Sequence, residues 1–304
     1  MRVALLSGGT GGAKLARGLL DVVGAESLTV IANSGDDAWV HGAHVSPDPD
    51  LVTYWLADAI DERGYGIRDD SWQVMDALEA AGRPTWFRLG DRDLAMCLVR
   101  SELLAAGERL TDAHAAVVKA MGVDATVLPM CDEPVPTQIG VGGRVLPFQE
   151  FMIVERAEGP LESVELTGID AARPTPEVLT ALRDADAIVI GPSNPIVSIG
   201  PILAVPGMRD ALAAAAAPIV AVSPFVGGAV LKGPTQLFCE AAGVEPSAEG
   251  VASLYTGLID GLVADEPVDA GFPVLEAPTL MDTPEARRAV ATATLQFAAG
   301  LAAG

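Results

Sequence analysis

Two stretches near the N-terminus carry residues whose types and spacing suit phosphate and metal chemistry. The first is Ser7-Gly8-Gly9-Thr10-Gly11-Gly12-Ala13-Lys14. Glycines let an anion come close to the main chain, and the free N–H groups and positive dipole end of a following helix hold it there. The second is Asn33-Ser34-Gly35-Asp36-Asp37-Ala38-Trp39, with Ser46-Pro47-Asp48-Pro49-Asp50 close behind. Carboxylates beside a phosphate loop suit a hard cation such as Mg²⁺, which takes one or two of them together with phosphate oxygens. Asp36, Asp37, Asp48 and Asp50 are therefore candidate metal ligands. The competing reading has Asp36 and Asp50 capping helices or turns while the other two face water.

These residues need a frame to hold them. Val3 to Leu6 is a short apolar run suited to a buried parallel strand, Leu15 to Val23 has helical spacing, and Leu28 to Ala32 is a second strand. The acidic loop then falls at the carboxyl end of a strand, where open α/β sheets bind ligands. Neither standard glycine fingerprint fits. Lys14 stands where the last glycine of G-x-G-x-x-G belongs, Ala13 and Leu15 flank Lys14 against the P-loop pattern, and Asn33 replaces the acidic ribose partner. NAD binding loses its footing.

Composition narrows the class. Half of the 304 residues are hydrophobic and a fifth charged, so the chain buries a large core. The net charge of −22 argues against nucleic acid and anionic membranes as partners, and it requires local cations to admit an anionic substrate. Uncharged runs at 187–208 and 211–231 are long enough to span a bilayer, but Pro and Gly interrupt both, so they read as buried strands and loops. No basic and apolar leader opens the sequence, and Cys97, Cys131 and Cys239 form no C-x-x-C pair, so a cytoplasmic protein is expected. His41, His44 and His114 are too scattered for a three-histidine metal site, and no G-x-S-x-G elbow is present.

Helical spacing recurs at 51–62, 72–81, 94–106 and 111–121, which predicts a mainly helical insertion over 51–124 covering the cleft. Arg88 and Arg92, in the loop between the second and third of these helices, suit phosphate contacts or a solvated turn. From Ala125 the period changes to that of strands, with a hairpin at Gly142-Gly143 and strands expected over 148–154 and 161–166. Alternation of helix and strand then returns. Strands at 187–190 and 219–222 end in Gly191-Pro192-Ser193-Asn194-Pro195 and Ser223-Pro224-Phe225-Val226-Gly227-Gly228. Helices are expected at 234–242, 248–262 and 284–302, with 258–263 also readable as the start of a strand. The fold class is α/β, a doubly wound and mostly parallel Rossmann-like sheet made of residues 1–50 and 125–304, with a small β-rich subdomain at about 125–170. In such a sheet Ser193, Asn194, Gly227 and Gly228 gather at the same edge as the first glycine loop.

Taken together, the glycine loop, Asn33-Ser34-Gly35-Asp36-Asp37, Ser46 to Asp50, Gly90-Asp91-Arg92-Asp93, Gly191 to Pro195 with Ser198-Ile199-Gly200-Pro201-Ile202, and Ser223-Pro224 with Gly227-Gly228 resemble the 2-phospho-L-lactate transferase family. Pro49 departs from the pattern, where the family usually has leucine. The resemblance implies a Mg²⁺-dependent transferase of coenzyme F-420 biosynthesis, and a homodimer. Such enzymes move a phospho-lactyl or phosphoenolpyruvyl group from a guanosine diphosphate donor to the ribityl hydroxyl of the deazaflavin FO, releasing GMP. It assigns Gly8, Gly9, Thr10, Gly11, Gly12 and Lys14 to the phosphates, with Asn33, Arg92, Ser193 and Asn194 as further ligand contacts. Asp48 and Asp50 become the leading carboxylates, one for Mg²⁺ and the other a second ligand or the base, with Asp36 and Asp37 in reserve. Trp39 and Pro224 to Gly228 are expected to flank the planar deazaflavin. The alternative is a non-catalytic nucleotide-sugar-binding regulator of a related glycine-loop family.

Overall fold

The computed structural model describes residues 1–230 and 233–303. Strand β1 (Val3–Ser7) leads into α1 (Gly9–Val23) and β2 (Leu28–Ala32). A hairpin of β3 (Ala38–Val40) and β4 (Ala43–Val45) precedes four helices, α2 (Pro47–Leu56), α3 (Gln73–Ala80), α4 (Asp91–Ala105) and α5 (Leu110–Ala120). The chain rejoins the sheet at β5 (Thr126–Pro129). An antiparallel patch of β6 (Thr137–Val141), β7 (Arg144–Pro147) and β8 (Leu161–Leu166) follows, with α6 (Phe148–Ile153) between its last two strands.

The second half restores the alternation. It contains α7 (Pro176–Asp184), β9 (Ala187–Ile190), α8 (Ile199–Ala204), α9 (Met208–Ala214) and β10 (Ile219–Val222). A small hairpin, β11 (Phe225–Val226) and β12 (Ala229–Val230), is followed by α10 (Thr235–Ala241) and α11 (Ala248–Leu254). The last elements are β13 (Gly261–Ala264), β14 (Val274–Glu276) and α12 (Pro284–Ala302).

Seven strands form one parallel sheet in the order β14-β13-β10-β9-β1-β2-β5. Its central strands are uninterrupted apolar runs because helices cover both faces. Leu15 and Leu19 of α1 pack with Leu295 and Ala298 of α12 on one face. Leu182 of α7, Ile202 of α8, Leu212 of α9 and Val251 of α11 cover the other. The chain runs outward from β1 in both directions, so the order reverses between β1 and β9, and a crevice opens there at the carboxyl ends of the strands.

Three local expectations change. Residues 148–154 form α6 rather than a strand, since Phe148, Phe151 and Met152 share a helical face packed against Phe238. A short apolar run does not distinguish the two by period alone. The helix expected over 248–262 stops at Leu254, a turn with Gly257 at φ +76° follows, and Gly261 opens β13. Helix α2 begins at Pro47, not Leu51, which moves Asp48 and Asp50 from a loop into its first turn. Pro47 and Pro49 fit there because the first backbone bond runs from the Asp50 N–H to the Ser46 carbonyl, so neither proline removes a helical bond. The run at 187–208 resolves into β9, a loop and α8, and no helix among the described residues is long and apolar enough to cross a membrane.

Candidate active site

Helix α1 starts inside the glycine loop, at Gly9, whose φ of +61° favours a residue without a side chain. Gly11 and Gly12 are there for space. A Cβ on Gly11 would collide with the Pro192 carbonyl, and one on Gly12 would stand 2.6 Å from the Ser193 hydroxyl. The loops after β1 and β9 are thereby locked together, and the Gly8 N–H donates to Ser193 Oγ at 3.1 Å. The first turn of α1 has no helical acceptors for its N–H groups. A carboxylate already occupies one of them, because Asp48 Oδ1 accepts from the Gly9 N–H at 2.6 Å.

Asn33, buried at the end of β2, ties the acids to this turn. Its Nδ2 donates to Asp48 Oδ2 at 2.9 Å and also to Asp36 Oδ1. Two carboxylates that share one amide nitrogen in a dry site resist ionising together. Burial pushes Asp48 up to about 6, and burial followed by the nearby Asp48 and Asp37 raises Asp36 well above the ordinary carboxylate range. Asp37 is also raised by burial, but it turns the other way, accepting from Ser46 Oγ at 2.7 Å with His44 Nε2 3.7 Å from its second oxygen.

Asp50 has a different setting. The fully buried Arg100 of α4 grips it with two bonds of 2.7 Å and also donates to the His44 carbonyl at 2.9 Å. Burial alone would lower the Arg100 pKa, yet the Asp50 charge holds it above its usual value. His114 lies 3.9 Å from the same carboxylate, and burial lowers its pKa to about 4, so it packs there neutral. Asp50 thus fastens α2 to α4 and α5.

Two cavities meet at Asp48. One, of about 350 Å³, runs from Gly8–Gly11 and Lys14 past Asp36, Ser193 and Asn194 to Pro224, Thr279 and Phe238. The other, of about 180 Å³, is walled by Tyr65, Trp72 and Phe87 with Asp48, Asp50 and Arg88. The Arg63 and Arg88 guanidinia stand 5.3 and 5.4 Å from the Trp72 ring centre, so both stack on the aromatic wall of a cleft that also holds Asp48, Asp50, Asp70 and Asp93.

Gly8, Gly9, Thr10, Gly11, Lys14, Asp36, Asp48, Ser193, Asn194 and Pro224 therefore converge on the first cavity, with Gly12 and Asn33 packed directly behind it. Other candidates stand apart. Trp39 is 63% exposed and borders a separate hollow with Asp37. Arg92 is exposed, lines neither of the two cavities and donates to the Arg68 carbonyl. Gly227 and Gly228 form the turn between β11 and β12, with the Gly227 N–H held by Asp265 at 3.0 Å. Asp91 caps α3 through the Gln73 and Val74 N–H groups, and Asp70 receives those of Arg92 and Asp93 at the start of α4. Sequence reasoning missed Arg100, although a charged residue three positions after Cys97 on the inward stripe of a helix is a readable signal. Tyr65 lies in a segment that showed no pattern, and Trp72 opened the expected 72–81 helix with nothing to mark it as a site residue.

A helix opened by glycines at a sheet's switch point, with buried carboxylates beside it, places the chain in the doubly wound α/β class with a loop suited to an anion. The family model described as 2-phospho-L-lactate transferase CofD matches residues 3–274. A phosphoenolpyruvate transferase of Kitasatospora aureofaciens is 41% identical over 98% of both chains. A 2-phospho-L-lactate transferase of Methanosarcina barkeri is 41% identical over 86% of this chain and 84% of its own. A crystal structure of a UPF0052 family protein from Bacillus halodurans shares the fold, with a TM-score of 0.56 at 21% identity over 88% of this chain and 81% of that one. The chain belongs to the 2-phospho-L-lactate transferase CofD family, and it is a transferase of that type.

Proposed function

We propose that this protein moves a phospho-lactyl or phosphoenolpyruvyl group from a guanosine diphosphate donor to the ribityl hydroxyl of FO, releasing GMP, in coenzyme F-420 assembly. The observation that carries the proposal is the place of Asp48, which forms the shared wall of the glycine-loop cavity and an aromatic cleft. A donor diphosphate fits the glycine loop, where the first-turn N–H groups and Lys14 serve its oxygens. A planar deazaflavin suits the cleft of Tyr65, Trp72 and Phe87, with its ribityl chain reaching toward Asp48.

In that arrangement the ribityl oxygen attacks the phosphorus that bears the acid. The bond from that phosphorus to the bridging oxygen breaks, GMP leaves with the electron pair, and the hydroxyl proton passes to Asp48. A carboxyl held near 6 by burial is well matched to accept that proton close to neutral pH. Asn33 fixes the Asp48 carboxylate, and the Gly8 and Ser193 pair fixes the loop facing it.

Asp36 would hold Mg²⁺, leaving the Asp48 carboxylate free to take the proton. No group of three or more His, Cys, Asp or Glu among the described residues has metal-binding geometry, but Mg²⁺ needs only one or two carboxylates when phosphates and water complete its shell. Asp36, raised well above the ordinary carboxylate range by burial and then by the nearby Asp48, is an acid whose charged form a divalent cation would favour. Bound there, it would neutralise charge that builds on the diphosphate. The acceptor half is tested by titrating FO and following its fluorescence. Trp72→Ala should weaken FO binding at least fivefold with GDP binding kept, and unchanged FO affinity would remove the aromatic cleft from the account.

A further inference from the structure

Thr279 lies in the segment between β14 and α12, which is pinned by the Ala277 N–H on the Ala264 carbonyl and by the buried Met281. The residue is 3% exposed, borders the glycine-loop cavity, and its hydroxyl has no hydrogen-bond partner among the described residues. Ser7, Ser34 and Thr137 also bury hydroxyls without a partner among the described residues, but Thr279 is the one of these four that lines the cavity. Two buried hydroxyls on the same cavity are satisfied, Ser193 by the Gly8 N–H and Ser223 by the Phe225 N–H. A buried hydroxyl without a partner is costly, and it persists where a ligand supplies the missing bond.

We propose that Thr279 reads the nucleoside half of the donor, its hydroxyl completing a hydrogen bond to the base edge or to a ribose hydroxyl. This inference rests on the donor reading above. The phosphates already have main-chain N–H groups and Lys14. A neutral hydroxyl can donate and accept, and it shares its cavity with Met281, Pro224 and Val226. One or two polar groups within an apolar lining fix a ligand's orientation, and a site built to satisfy such a group rejects ligands that lack it.

The test compares wild type, Thr279→Val and Thr279→Ser by calorimetric titration with GDP and, separately, with inorganic pyrophosphate, both with Mg²⁺. Valine keeps the shape and removes the hydroxyl. Thr279→Val should bind GDP about tenfold more weakly, equal to about 1.4 kcal/mol, while binding pyrophosphate as wild type does. Thr279→Ser should stay within about twofold of wild type for both. A purely structural threonine would lower the melting temperature when replaced, whereas this one should leave the free protein's melting temperature unchanged or raised. Wild-type GDP affinity in Thr279→Val, or an equal loss of GDP and pyrophosphate, would overturn this inference alone. Failure of the wild type to bind GDP would overturn it together with the donor reading.

Discussion

Replacing the central carboxylate should make the free protein more stable while ending catalysis. Burial lifts the Asp48 carboxyl from 3.8 to about 6. At about 1.36 kcal/mol per unit, holding it ionised in the folded state costs ~3 kcal/mol. The folded pKa lies above the unfolded one, so the favourable contribution is complete below pH 4 and is lost as the pH climbs through about 6. Asp48→Asn carries no charge and escapes that loss. Its amide can still accept from the Gly9 N–H, but its NH₂ meets Asn33 Nδ2 and forfeits one hydrogen bond, worth about 1 kcal/mol. The balance at pH 8 is ~2 kcal/mol in favour of the variant, or roughly 4 °C in melting temperature for a chain of this size. At pH 4 the advantage should vanish. Differential scanning calorimetry of both proteins at the two pH values decides it. A variant that melts below wild type at pH 8, or a gap that does not change with pH, would refute the burial argument.

Three further outcomes follow from the same contacts. Asp50→Asn leaves the Arg100 guanidinium buried with half its partner gone, and should cost about 3–5 kcal/mol in denaturant unfolding, most of it recovered by the double change Asp50→Leu with Arg100→Met. Gly11→Ala drives a methyl into the Pro192 carbonyl and should weaken GDP binding at least tenfold by calorimetry, since the loop must shift. Trp39→Ala should leave FO affinity within about twofold in the fluorescence titration, because the ring stands on another hollow.

The frame of the site was legible because its signals are local. An apolar run followed by glycines and then helical spacing fixes β1 and α1, and the Pro/Gly loops after 190 and 222 mark the ends of β9 and β10. The same chemistry that stops a strand also shapes the loop that faces the ligand. The division of labour between Asp48 and Asp50 was not legible. Two positions apart in the first turn of α2 they point to different sides, one to the Gly9 N–H and the other to Arg100, fifty residues away in sequence. Only tertiary packing distinguishes them. Tyr65 and Trp72 escaped for a related reason, since they come from irregular chain whose wall appears only when it folds against Phe87. The regulator alternative rested on the glycine loop and on the acidic loop after β2, both of which a related family shares, and family membership over residues 3–274 favours the transferase.

The central claim is that Asp48 stands between a guanosine diphosphate donor and the FO hydroxyl. Its most direct test is a single-turnover assay with FO, Mg²⁺ and donors bearing phospholactate or phosphoenolpyruvate, read by mass spectrometry for the product and for GMP. Wild type should form one GMP for each FO converted, only with the metal present, and Asp48→Asn should bind GDP yet turn over at least a hundredfold more slowly, about 2.7 kcal/mol in barrier. Transfer by Asp48→Asn at the wild-type rate, or GMP released without any change to FO, would contradict the account.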